Sequence, residues 1–230
     1  MLPITLLPGL ACDAELWRDQ AAALAPLRPV RVSDVHTRCA TLPLMATTLL
    51  AETTGDLLLC GASMGGMLAL EVVRQAPQRV RGLALLGSSA RPDTPELIKL
   101  RSDAITLFEQ GRMREVLQAN LAFAFDPAHA RALAPRYLAM IERAGAAQLI
   151  AQNRAVMARA DQRPLLPRIA CPTLVLVGRT DLLAPPALAQ EMADAIPGAR
   201  LEVLVECGHM LTWEQPQRVN ALLHDWLTGL

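Results

Sequence analysis

Short, continuous apolar runs, each closed by Gly, Ser or Asp, alternate along this chain with segments of helical periodicity, and that alternation leaves few folds open. The runs are ITLLPG (4–9), PVRVSD (29–34), DLLLCG (56–61), VRGLALLGSS (80–89), TLVLVGRTD (173–181) and RLEVLVECG (200–208). Between and after them, 14–25, 42–54, 64–76, 185–195 and 215–228 read as helices. Asp13 stands where an N-cap would open the first, and Pro77 closes the third. Runs with no polar alternate suit strands buried on both faces. Such strands are joined by right-handed helical crossovers into a parallel sheet. The expected fold class is therefore α/β: a mostly parallel sheet of about six strands with helices on both faces.

The alternation stops between Ser89 and Leu165. That stretch is helical throughout, with apolar positions such as Leu97, Leu100, Ile105, Leu107 and Phe108 at helical spacing. The chain divides on this basis into a core, 1–91 with 164–230, and a helical insertion, 92–163, after the fourth strand. Open α/β sheets bind ligands at the carboxyl ends of their strands, and an insertion there covers that site. Leu121, Phe123 and Phe125 are candidates for the pocket wall.

Charge excludes some partners. The chain carries 22 basic and 22 acidic side chains, which gives no general attraction to nucleic acid or an anionic membrane. The insertion has eleven Arg or Lys against eight Asp or Glu over 91–163. That surplus leaves an acidic carrier-protein partner open without arguing for one. No apolar run approaches the ~18 residues of a membrane span. The first run breaks at Pro8-Gly9 with no basic segment before it, so it reads as a strand rather than a signal peptide. Five scattered cysteines (12, 39, 60, 171, 207) read as free thiols of a reducing, cytoplasmic compartment. Cys207 and His209 are too few for a zinc site, and no metal is expected.

Chemistry concentrates at LCGASMGG (59–66). Ser63 falls where the third strand becomes a helix. A turn that sharp forces the serine into an unfavourable backbone conformation, and small neighbours at 61 and 65 avoid collision. The helix beginning at Met64 aims its free N–H groups at the same spot. A serine needs a base. His209, just past the sixth run, shares the sheet edge with Ser63; His36, after the second, is its rival. His129 lies in the insertion, and His224 lies within the last helix. The base needs an acid to fix its tautomer. Asp181 follows the fifth run, with Asp93 after the fourth, at the hinge of the insertion, as the alternative. Glu206 is expected still within its strand, pointing along the sheet. Two backbone donors for an oxyanion are assigned to Met64 and, after the first strand, to Leu10.

Together these segments resemble the α/β-hydrolase superfamily. GASMGG is similar to its nucleophile elbow, GRTDLLAP to its acid loop, CGHM to its histidine loop and LPGLACDAELW to its oxyanion turn, with Pro8 where many members have His. The chain order Ser63, Asp181, His209 is that of the superfamily. Its first antiparallel hairpin has no counterpart here. Compact, lidded carboxylesterases of the pimeloyl-ester and menaquinone-pathway kinds look most similar. The resemblance implies acyl transfer to water without a cofactor, on a small-molecule ester or thioester, with 92–163 as a lid. It also covers C–C bond hydrolases, lyases and perhydrolases. A ligand receptor that kept the fold is a third reading, which an intact Ser-His-Asp set argues against.

Overall fold

The computed structural model describes residues 2–230. Six strands form one sheet in the order β2-β1-β3-β4-β5-β6, and every neighbouring pair is parallel. They are β1 (Ile4–Leu7), β2 (Val30–Val32), β3 (Leu57–Ala62), β4 (Val80–Leu86), β5 (Thr173–Gly178) and β6 (Arg200–Leu204). The four inner strands, β1, β3, β4 and β5, carry the more deeply buried of the six runs. β1 and β5 are buried throughout, whereas the outer β2 and β6 are mostly half-buried. All six strands fall on the expected segments; β3 runs one residue further, to Ala62, and the fourth, fifth and sixth stop early, at Leu86, Gly178 and Leu204. Gly87 leaves β4 with φ 51°, outside the extended region.

Side-chain alternation along the strands makes two cores, one on each face. Ile4, Leu6, Leu58, Cys60, Ala84, Leu86, Leu174 and Leu176 pack with Trp17, Leu24, Leu223 and Trp226. Those partners belong to α1 (Arg18–Leu24), its preceding turn, and the last helix, Pro216–Thr228. Leu7, Leu57, Leu59, Leu83, Leu85, Val175 and Val177 face the other way. After the short α2 (Val35–Arg38), that face is covered by α3 (Leu42–Glu52), α4 (Met64–Gln75) and, later in the chain, Pro186–Ala195.

The segment between β4 and β5 holds α5 (Pro95–Glu109), α6 (Met113–Ala124) and α7 (Pro127–Met157). α7 is two helical pieces that meet in a sharp turn at Gly145, whose φ of 76° is not helical. Thr94 and Asp126 cap α5 and α7 with side-chain acceptors. The helices do not pack only on each other: Phe108, Leu117, Phe125, Tyr137, Met140, Ile141 and Leu149 join the first core. The rest of the fold is α8 (Pro186–Ala195), α9 (Leu211–Glu214) and α10 (Pro216–Thr228). No helix among the described residues is long and apolar enough to cross a membrane.

Asp93 is more than a hinge. Its carboxylate is buried between two guanidinium groups, Arg159 at 2.8 Å and Arg101 at 2.7 Å. Arg101 also donates to Asn153 Oδ1 at 2.8 Å. The group ties the end of β4 to α5 and α7. Neutralising a buried partner strands the other charge, so a mild Asp93→Asn phenotype is not expected. Asp93→Asn should cost about 3–5 kcal/mol, read as a lowered midpoint in urea unfolding. A midpoint shift below about 1 kcal/mol would show that the buried cations find other acceptors.

Candidate active site

Ser63 joins β3 to α4 with φ 52° and ψ −117°, a conformation that costs an L-residue energy and persists only where the surroundings impose it. Those surroundings are specific. A Cβ on Gly61 would collide with the carbonyl of Gly65, and one on Gly65 with the carbonyl of Leu7. The two glycines therefore let α4 begin in contact with the end of β1. Ser63 N–H donates to Leu86 O at 2.8 Å. Ser63 O accepts from Gly66 N–H at 2.9 Å and from Ser88 Oγ at 2.8 Å. Ser88, which the sequence presented only as part of a strand end, thus holds the turn from the neighbouring strand.

The turn after β1 lies against the same residue. A Cβ on Gly9 would stand 3.4 Å from Ser63 Cβ. Leu10 follows, and Ala11 takes φ 58°. Among the described residues neither Leu10 N–H nor Met64 N–H donates to a protein acceptor; Met64 opens a helix, where free N–H groups are expected.

Asp181 and His209 meet one residue beyond Leu86. His209 Nδ1 lies 2.8 Å from Asp181 Oδ2. A Cβ on Gly87 would stand 3.2 Å from Asp181 Oδ2 and 3.3 Å from His209 Nδ1. The other Asp181 oxygen accepts from Leu183 N–H at 2.9 Å and Ala184 N–H at 2.8 Å, so the buried carboxylate has one orientation. It can only accept, so Nδ1 carries the proton and Nε2 is left as the basic nitrogen. Burial alone would push the His209 imidazolium to a lower pKa. The charge and hydrogen bond of Asp181, with Glu214 behind them, outweigh burial and raise it above the ordinary histidine value.

Glu214 was not foreseen. Its buried carboxylate accepts from three backbone N–H groups, Asp126 at 2.8 Å, Gly208 at 2.9 Å and Met210 at 3.0 Å. Burial pushes its pKa up, against the pull of those donors. It binds the histidine loop to the α6–α7 junction. Ala124 O accepts from His209 N–H at 3.2 Å, and Thr180 Oγ1 donates to Asp126 Oδ2 at 2.7 Å. The acid loop, the histidine loop and the inserted helices are therefore one hydrogen-bonded unit.

The other nominees lie elsewhere. His36 is buried, with Nε2 2.8 Å from Cys12 O, and burial lowers its pKa. His129 Nε2 contacts Glu206 O at 3.1 Å. Glu206 is past β6, at φ 51°, not within the strand, because the chain turns back there toward the histidine loop. His224 is exposed in α10. The pocket candidates do not share one environment. Phe125 is core, edge-on to Tyr137 with centroids 5.4 Å apart. Leu121 is partly buried against that core, and Phe123 is 48% exposed.

A strained serine at a strand-to-helix turn and a histidine fixed by a buried carboxylate stand at the carboxyl edge of one parallel sheet, an arrangement that hydrolytic enzymes of this topology use. The chain belongs to the alpha/beta hydrolase family, whose model matches residues 6–222. It is 28% identical to a pimeloyl-[acyl-carrier protein] methyl ester esterase of Aromatoleum aromaticum, covering 98% of both chains. Among solved structures, a thermophilic esterase from Thermogutta terrifontis, malate bound, superposes with a TM-score of 0.90 at 28% identity over 100% of this chain and 90% of that one. The enol-lactonase from Burkholderia xenovorans LB400 gives 0.89 at 25% identity over 99% and 91%.

The raised His209 value can be read directly. Imidazole NMR titration should give a midpoint above about 6.5 in the native protein. In Asp181→Asn the charge is gone while the burial stays, so the midpoint should drop below that value. An unchanged midpoint would mean that Asp181 does not control the ring.

Proposed function

We propose that this enzyme is a serine carboxylesterase. Ser63 attacks an ester or thioester carbonyl as His209 Nε2 takes its proton. Asp181 stabilises the imidazolium, and the N–H groups of Leu10 and Met64 receive the developing oxyanion. His209 then protonates the leaving group, and the same base activates water to release the acid. The observation that carries this reading is the 2.8 Å His209–Asp181 pair packed on Gly87, the residue after Leu86, whose carbonyl accepts from the N–H of a serine held at φ 52°. A binding protein has no use for either. The esterase named among the relatives supports an acyl substrate.

The inserted helices, 92–163 with the core on either side, act in this reading as a lid. Apolar side chains stand exposed on the elements that carry the site. Leu182 and Leu183 follow Asp181, and Phe123 precedes Ala124, whose carbonyl meets the histidine loop. These favour an apolar acyl chain. The insertion's cations are largely spent on its own carboxylates and those of the core, as in Arg112–Glu115, Arg114–Glu142, Arg143–Asp13 and Arg154–Glu109. The reading therefore rests on the acyl group and not on an acidic carrier protein.

Ser63→Ala should leave the unfolding midpoint unchanged and lower turnover of p-nitrophenyl esters on the order of 10⁴-fold or more. Turnover within tenfold of the parent would remove Ser63 from the mechanism. With the parent enzyme, kcat/KM should rise over the first few carbons of the acyl chain, by up to ~0.8 kcal/mol per methylene, and Phe123→Ala should flatten that rise. A profile that is flat in both proteins would place acyl selection away from Phe123.

A further inference from the structure

We infer that Gln152 is a positioning residue for catalysis, holding the oxyanion turn in its working shape from the far side of the inserted helices. The inference rests on the esterase reading above. Gln152 lies in the part of α7 that follows the Gly145 bend, 141 residues from its partner, and is fully buried. Its Oε1 accepts from Ala11 N–H at 2.6 Å. Its Nε2 donates to His36 O at 2.9 Å. His36 in turn reaches Cys12 O through Nε2 at 2.8 Å, which requires the proton on that nitrogen. The three bonds form a closed ring through Ala11–Cys12, His36 and Gln152, and each member fixes the orientation of the next.

The ring surrounds the residue that most needs holding. Ala11 is at φ 58°, in the left-handed region that a non-glycine residue avoids. Left to itself the turn would relax. Relaxation at Ala11 turns the Leu10–Ala11 peptide, which carries Leu10 C=O and Ala11 N–H, and through the Leu10 Cα it shifts the next peptide back, which carries the Leu10 N–H. On the other side, Gly9 is already packed on Ser63. The amide of Gln152 therefore acts where backbone strain would otherwise misdirect an oxyanion donor. A buried amide is satisfied only when both ends are paired, and here the two ends reach two separate segments, Ala11 and His36. His36, a rival base on sequence, has its place here as the second strut. Because Gln152 belongs to the inserted helices, the ring also makes the oxyanion turn depend on their docking.

The test separates turn geometry from stability. Gln152→Leu keeps volume and removes both bonds. Three quantities are measured beside the parent and Ser63→Ala: kcat and KM on a p-nitrophenyl ester, inhibition by an alkyl trifluoromethyl ketone, and the thermal midpoint. The ketone forms a tetrahedral oxyanion on the serine, so its affinity reports the donors directly. The expected result is a roughly 10- to 100-fold fall in kcat, with KM within about twofold and an equal fall in ketone affinity. A variant with unchanged kcat and ketone affinity overturns the inference, as does one in which KM alone rises. If Gln152→Leu does not fold, Gln152→Glu carries the test. It keeps an acceptor for Ala11 N–H and loses the donor to His36 O, and a matched fall of at least about threefold in kcat and ketone affinity is expected. Parent-like values in that variant overturn the inference. A parent enzyme that neither turns over esters nor binds the ketone defeats the esterase reading itself, whereas a parent that does both beside an indifferent Gln152→Leu defeats only the role of Gln152.

Discussion

The close approach of α4 to the end of β1 is the constraint on which the site depends. With no side chain at Gly61 or Gly65, the first turn of α4 meets the backbone of Leu7 and Pro8. Ser63 is left at φ 52° between them. The serine, its own N–H toward β4 and the turn after β1 are brought together by that single contact. A methyl group at either glycine would push the helix off the sheet, and no rearrangement of the loops could restore the serine. Strain at Ser63 is offset by ordinary strand and helix bonds around it. Ser63 N–H donates to Leu86 O, and Ser63 O accepts from Gly66 N–H and Ser88 Oγ. The local conformation is thus a consequence of the sheet and not of flexibility in the loop.

The inserted helices are structural as well as covering. Their apolar faces belong to the same core as one face of the sheet. Polar contacts join them to four separate segments of the core. Asp93, Arg159 and Arg101 hold them to the end of β4. Glu214 and Thr180 hold the α6–α7 junction to the histidine and acid loops. Gln152 holds the turn after β1. A segment bound at these four points around the candidate site sets the positions of the groups beneath it. In the esterase account, loosening the helices would therefore affect turnover as well as access.

Much of this was legible in the sequence because the relevant signals are local. Uninterrupted apolar runs marked the strands, and their endings marked the sheet edge where Ser63, Asp181 and His209 stand. The glycine spacing around Ser63 carries its own steric reason. What was not legible depends on contacts across the fold. Glu214 looks like one more acid at a helix end, and Gln152 like one more polar residue in an alanine-rich helix. The contacts that carry their roles are remote: Asp126 lies 88 residues from Glu214, and Ala11 lies 141 from Gln152. Asp93 reads as a hinge because the arginines that meet it come from elsewhere in the chain, Arg101 from α5 and Arg159 from just past α7. Phe123 and Phe125 were grouped by spacing. The helix ends between them, so one faces solvent and the other joins the core. Glu206 reads as strand because its run stays apolar past Leu204, where the strand ends.

The most direct measurement is the covalent intermediate itself. Rapid acid quench of the enzyme with a p-nitrophenyl ester, followed by intact mass and peptide mapping, reports where the acyl group resides. The account predicts a single added acyl mass, mapped to the peptide containing Ser63 and accumulating further when His209 is replaced by a residue that cannot activate water after acylation by an activated ester. An acyl group mapped to any other residue, or rapid turnover with direct evidence from isotope labelling that water attacks the substrate without an acyl-enzyme, would contradict it.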